Sequence, residues 1–140
     1  MVVQPYLFFN GRCDEALAFY QAALGAEVAS LMRFRDNPDP AAGEGCAGGP
    51  PPSGDQVMHA EMRVGSSTIL MSDGMDRGTP TFQGFALTLQ LASVAEVERV
   101  FTRLADGGTV QMPIGATFFA TSFGMVADRF GVTWTVIAPA

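Results

Sequence analysis

The stretch from Val57 to Met71, VMHAEMRVGSSTILM, reads as two strands joined by a tight turn at Val64-Gly65-Ser66. A fainter copy, FGMVADRFGVTWTVI, runs from Phe123 to Ile137. Shifted by 66 positions, Arg63-Val64-Gly65 falls on Arg129-Phe130-Gly131, Val57 on Phe123 and Thr68 on Trp134. A repeated hairpin implies a domain built twice.

The chain on either side supports that reading. Gln4 to Phe9 is an aromatic-rich first strand, restricted by Pro5 to an edge or a strand start. After Asn10-Gly11, residues Cys13, Ala16, Leu17, Tyr20 and Leu24 recur at helical spacing. Asp14 and Glu15 favour the helix N-terminus, and Gly25 caps the other end. A strand from Glu27 to Phe34 follows. The second half opens with a strand, Phe85 to Leu91, and Ser93-Val94-Ala95-Glu96 is a capping box. Val94, Val97, Phe101 and Leu104 form the buried stripe of its helix, and Gly107-Gly108 stops it. Strands are expected at 109–114, 120–126 and 133–137. Each half thus reads strand, helix, strand, strand, strand. The helices match with Phe19 on Phe101, a shift of 82, so the first half carries 16 extra residues between helix and hairpin. That surplus coincides with residues 36–54, which hold five prolines and five glycines and no apolar period, and are expected to form a long exposed loop. The expectation is one domain over 1–140, with module one at 1–75, a linker at 76–81 and module two at 82–140.

Composition sets limits. Apolar residues make up 48% and charged residues 16%, which supports a packed core. There is no apolar run long enough to span a membrane, and MVVQPYLFFN lacks the basic start of a signal peptide. A net charge of -6 argues against nucleic acid and against an anionic membrane surface, and mildly favours a cationic or neutral ligand. Two cysteines, Cys13 and Cys46, are too few for a disulfide scaffold and point to thiols in a reducing cytoplasm.

Three segments, YLFFNGRCDEALAFYQAALGAEV, VMHAEMRVGSSTILMSDG and FFATSFGMVADRFGVTWTV, together resemble the vicinal-oxygen-chelate superfamily of glyoxalase I, bleomycin-resistance proteins and extradiol dioxygenases. Within it they resemble the PhnB-like branch, whose members are often labelled 3-demethylubiquinone 3-methyltransferase-like. The resemblance implies an α+β fold of two βαβββ modules, with curled mixed sheets around a shared cavity, in a homodimer. It also implies a divalent metal, where one is used, held by His and Glu from the first and last strands of each module. Here those places fall on Pro5, on Phe85, near Ile69 or Leu70, and on Thr135, none of them a good ligand. The chain has one histidine, His59. No cofactor is therefore expected, and a divalent metal, while open to such a fold, is not supported by these positions. His59 and Glu61, at i and i+2, share one side of a strand and are the candidate catalytic residues, as a general base held by a carboxylate; a weak two-ligand metal site and a purely structural histidine satisfied by a backbone carbonyl are the other readings. By strand parity from the metal positions, Leu7, Phe9, Ile69, Met71, Phe85 and Thr135 are expected to line a ligand pocket, with Phe119 and Phe123 as wall or lid and Trp134 facing the helices.

Other features read as decoys or as core. Gly43-Glu44-Gly45-Cys46-Ala47-Gly48 matches G-x-G-x-x-G, but three prolines follow at once where a helix is required. No glycine-turn βαβ unit is therefore offered to S-adenosylmethionine, against the methyltransferase label. Cys13 in the first helical turn could be an activated nucleophile, or simply a small buried residue. Asp14 and Glu15 face different directions and make no catalytic pair. The expected function is metal-independent binding of a small molecule; the alternative is a lyase- or isomerase-type or other enzyme of the resembled superfamily using His59 as acid or base, with or without a divalent metal.

Overall fold

A computed structural model describes residues 1–37, 53–74 and 78–140. The expected loop at 36–54, its glycine motif and Cys46 fall mostly or wholly outside the described residues, as does part of the expected linker. Two compact units are present, Met1–Pro80 and Thr81–Ala140. Each is a four-stranded mixed sheet with one helix, so the class is α+β.

Among the described residues of the first unit the elements are β1 (Tyr6–Phe8), α1 (Cys13–Leu24), β2 (Glu27–Arg33), β3 (Val57–Val64) and β4 (Ser67–Ser72), with a 3₁₀ turn at Phe34–Asp36. The sheet order is β1-β4-β3-β2, and β1 lies parallel to β4 on the edge. Pro5 cannot donate to a ladder, and its carbonyl instead accepts the Leu70 N–H. Cys13, Ala16, Leu17, Tyr20 and Ala23 form the buried stripe of α1, and Gly25 caps it in the left-handed region at φ 67°. No side chain caps its N-terminus locally. Asp73, just past β4, does so from a distance: one carboxylate oxygen accepts the N–H groups of Gly11 and Cys13, and the other accepts the N–H of Val57. One buried charge therefore ties the start of the helix to the start of β3 and the end of β4. Arg33 at the end of β2 grips Asp14 of α1 at 2.8 and 2.9 Å, which closes the helix onto the far strand.

The second unit repeats the plan with β5 (Leu87–Gln90), α2 (Val94–Ala105), β6 (Thr109–Gly115), β7 (Ala120–Ala127) and β8 (Thr133–Pro139), in the order β5-β8-β7-β6. Again the first strand is parallel to the last and the other pairs are antiparallel. Ser93 Oγ accepts the Glu96 N–H, and Glu96 reaches back to the Ala92 N–H, so the capping box closes one residue earlier than its usual form. Val97, Val100, Phe101 and Leu104 are buried beneath α2, while Val94 lies exposed. Gly124 in β7 lets the helix approach: a Cβ there would sit 2.8 Å from the Phe101 ring.

The duplication holds, but its offsets differ from those of the motif alignment. The helices lie 81 positions apart, and burial matches Tyr20 with Phe101 rather than Phe19. Ladder and burial match Met62 to Val126, Ile69 to Trp134 and Met71 to Val136. The strands after the turn are thus 65 apart, whereas Gly65 and Gly131 are 66 apart, because the second turn holds one residue more. A one-residue slip moves every side chain to the opposite face of a strand. The expected pocket inherits that error.

Candidate ligand-binding site on the open face of the first sheet

Period-two alternation sorts the first sheet into a face against α1 and an open face. Phe9 contacts the Tyr20 ring of α1, so Leu7 and Phe9 lie on the helix face. Met71 pairs with Leu7 and Ala60, and Ile69 with Met62, on that same face. Leu7, Phe9, Ile69 and Met71 are between 0 and 5% exposed and belong to the core, not to the expected pocket. For Ile69 and Met71 the cause is the slipped register; for Leu7 and Phe9 it is parity counted from Pro5, which lies before the strand.

The open face instead presents Tyr6 and Phe8 of β1, Leu70 and Ser72 of β4, His59 and Glu61 of β3, and Met32 of β2, placed by their cross-strand pairs. Tyr6 and Phe8 are 40% and 49% exposed, high values for rings on a strand, and they stack at 4.8 Å with an 11° interplanar angle. The Tyr6 hydroxyl lies 2.8 Å from His59 Nδ1. Burial raises the Tyr6 pKa, a hydrogen bond with Ser72 opposes that, and the nearby Cys13 adds to it, so the group is a neutral phenol at physiological pH. With the phenol as donor, Nδ1 is the acceptor and the imidazole proton sits on Nε2. Nε2 lies 3.9 Å from Glu61 Oε1, within ion-pair range but beyond hydrogen-bond reach. His59 and Glu61 thus share the open face as their spacing requires. The sequence reading missed Tyr6, taken only as part of an aromatic strand.

In the second sheet the open face carries Thr88, Thr135, Phe123, Met125 and Ile137. Thr135 and Thr88 exchange a hydroxyl hydrogen bond of 2.6 Å. Phe118, Phe119 and Phe123 form an edge-to-face row, with Phe119 45% exposed. Thr135, Phe119 and Phe123 are therefore accessible from this side, and Phe85 is exposed but precedes β5. Trp134 faces α2 and is buried, its indole N–H donating to Asp128 at 2.8 Å. Asp128 also accepts the N–H groups of Phe130 and Val132 and so fixes the longer turn. Asp73 and Asp128 were both passed over in sequence. Their signal was an aspartate directly after an apolar strand and shortly before a glycine, the setting of an Asx turn.

The superfamily's metal chemistry requires imidazole or carboxylate on the open face of first and last strands. The residues there include Tyr6 and Phe8, Leu70 and Ser72, Thr88 and Gln90, and Thr135 and Ile137, not Pro5 and Phe85; none is an imidazole or carboxylate, and this donor set does not fit a divalent metal. Among the described residues no three His, Cys, Asp or Glu side chains gather into a metal-holding group. Cys13 is fully buried, and burial, then Asp73 and Asp14, push its thiol pKa well up despite the helix terminus and Arg33. It is a core residue rather than a nucleophile. No helix among the described residues is long and apolar enough to cross a membrane.

Comparison with known proteins agrees with this architecture. Protein YjdN of Escherichia coli is 39% identical over 138 residues, covering 97% of this chain and 94% of that protein. A Pseudomonas aeruginosa protein of known crystal structure is 40% identical, with a TM-score of 0.84 over 99% of this chain and 98% of its own. A Bacillus cereus structure described as a putative 3-demethylubiquinone-9 3-methyltransferase, PhnB protein, shares the fold at 24% identity, with a TM-score of 0.78 over 99% of both chains. A family model matches residues 3–136, and with two βαβββ modules in the same strand order the chain belongs to the Glyoxalase/Bleomycin resistance protein/Dioxygenase superfamily.

Proposed function

We propose that this protein binds a small organic molecule without a metal ion, on the open face of its first sheet. The observation that carries the reading is the exposed Tyr6–Phe8 stack beside His59, where a metal-using relative would need a ligand. Two solvent-facing rings on an edge strand cost hydrophobic free energy unless something covers them, and an aromatic ledge with a few polar groups suits a small ligand. A cytoplasmic homodimer is part of this reading, supported by the low cysteine count and by the habit of the superfamily. Isothermal titration with aromatic and aliphatic compounds tests it. Binding that survives exhaustive chelation and is lost in Phe8→Ala is the expected result; binding only after metal addition overturns it.

A second reading, an enzyme using His59 as acid or base, is favoured by one specific feature. The Tyr6 hydrogen bond orients the imidazole, with Glu61 on its other side. In that case His59→Ala abolishes turnover while the melting temperature changes little, since the ring is on the surface. The same arrangement also works against it. Nδ1 is already engaged by Tyr6, so a substrate proton could reach that nitrogen only by displacing the phenol.

A further inference from the structure

From the distribution of charge on that face, and resting on the binding reading above, we infer that the ligand is an organic cation: an amine or quaternary ammonium on an apolar body, seated on Tyr6 and Phe8 with Glu61 as counter-charge. The face carries three charged strand residues, and two of them oppose one another. Glu27 of β2 is the direct cross-strand partner of Arg63 in β3. Glu61 has no charged cross-strand partner, only Ser30 and Leu70, and the nearest cation on its face is Arg63, two residues along β3. Among the described residues its ion-pair contact is His59 at 3.9 Å, and that contact is charged only when the imidazole is protonated. The Glu61 side chain, 45% exposed, therefore sets a negative charge beside Leu70, on the same face as Tyr6, Phe8 and Met32.

An aromatic face attracts a cation through its quadrupole, most strongly once water has been excluded. Glu61 adds a Coulomb attraction that strengthens as the ligand's apolar body displaces water. An anion meets the opposite field. The chain has no lysine and a net charge of -6, so the long-range field also draws cations in. Met32 and Leu70 offer soft apolar contact for the ligand body. Tyr6 is held in place by His59, which lowers the entropy lost when a ligand settles on its ring.

The test is titration calorimetry and amide chemical-shift mapping of the whole protein with three probes of similar body: benzyltrimethylammonium, benzyl alcohol and benzoate. The expected result is cation binding about tenfold tighter than the neutral probe, with benzoate weakest and shifts at Tyr6, Phe8, His59 and Glu61. Glu61→Gln, a change on an exposed strand position, is expected to remove that preference, whereas Arg63→Gln leaves it intact or slightly stronger. If benzyl alcohol or benzoate binds these residues as tightly as the cation, or Glu61→Gln keeps the preference, the inference falls while the binding reading stands. If no probe shifts them, both fall.

Discussion

Replacing Asp73 with alanine tests how module one is held together. The carboxylate accepts three backbone N–H groups, from Gly11 at 2.7 Å, Cys13 at 2.9 Å and Val57 at 2.7 Å, and the residue is 3% exposed. Alanine removes every acceptor and leaves the Cys13 and Val57 donors buried. An orphaned buried donor costs about 1–3 kcal/mol, so the pair costs about 4 kcal/mol. Losing the negative charge at the α1 N-terminus adds up to about 1 kcal/mol. Against a typical total of about 5–15 kcal/mol this is a large share, and it corresponds to a fall in Tm of about 12 °C. Urea denaturation followed by circular dichroism measures the change, with an unaltered m-value showing that the denatured state is not the cause. Amide exchange supplies the local readout: Cys13 and Val57 lose protection ahead of residues in the second unit. Asp73→Asn, which keeps one acceptor, falls between wild type and alanine. A variant Asp73→Ala within about 1 kcal/mol of wild type would show that these three N–H groups find other partners and that the anchor is dispensable.

Three further outcomes follow from single contacts. Gly108→Ala places a Cβ 2.2 Å from the Ala127 carbonyl oxygen, so backbone must move, and a loss of about 3 kcal/mol is expected in denaturant titrations; Gly115→Ala, with nothing within 4 Å, stays within about 0.5 kcal/mol. Ser93→Ala breaks the cap on Glu96 and lowers stability by about 1 kcal/mol, recovered by Ser93→Asp. The Arg33 guanidinium hydrogen-bonded to Asp14 holds that carboxyl below its ordinary value. This contribution is present above the unfolded carboxyl's pKa of about 3.9 and disappears as pH falls through the depressed folded value. Arg33→Gln should therefore flatten part of the acid limb of the stability profile; an unchanged limb would show the pair to be inert. Asp14 is half exposed, so solvent screening keeps the effect small.

The fold was legible because burial repeats with the period of each element. Ala16, Leu17 and Tyr20 in α1, and Val97, Phe101 and Leu104 in α2, announce their helices, and Ser93 with Glu96 marks a boundary to the residue. The candidate site was half legible. His59 and Glu61 follow from i, i+2 spacing alone. The aromatic ledge did not, since β1 is three residues long and apolar on both faces, so composition gives no sign of which side meets α1. Parity counted from Pro5 assigns Leu7 and Phe9 to the ligand pocket, whereas Phe9 against Tyr20 puts them on the helix face and leaves Tyr6 and Phe8 on the open one. In β4 the repeat misled for a different reason. Gly65 and Gly131 both adopt positive φ and invite alignment, yet the Asp128 turn carries the additional residue. Turn chemistry and strand register are separate constraints, and a loop insertion uncouples them.

The two copies have kept one face and changed the other. On the helix side Ile69 and Met71 correspond to Trp134 and Val136, all buried, with volume traded between strand and helix: small Ala16 and Ala23 in α1 stand where Val97 and Leu104 lie in α2. Packing density penalises any net change there, so the face can be rebuilt only by compensation. The open face has no such restraint. Tyr6 beside Leu70 in one module becomes Thr88 beside Thr135 in the other, an aromatic ledge in the first and a closed pair of hydroxyls in the second. The histidine and the unopposed carboxylate also lie on the first copy. On the proposed reading, recognition is concentrated on the first module, and variants at Thr88 and Thr135 are expected to disturb ligand binding far less than variants at Phe8 and Glu61.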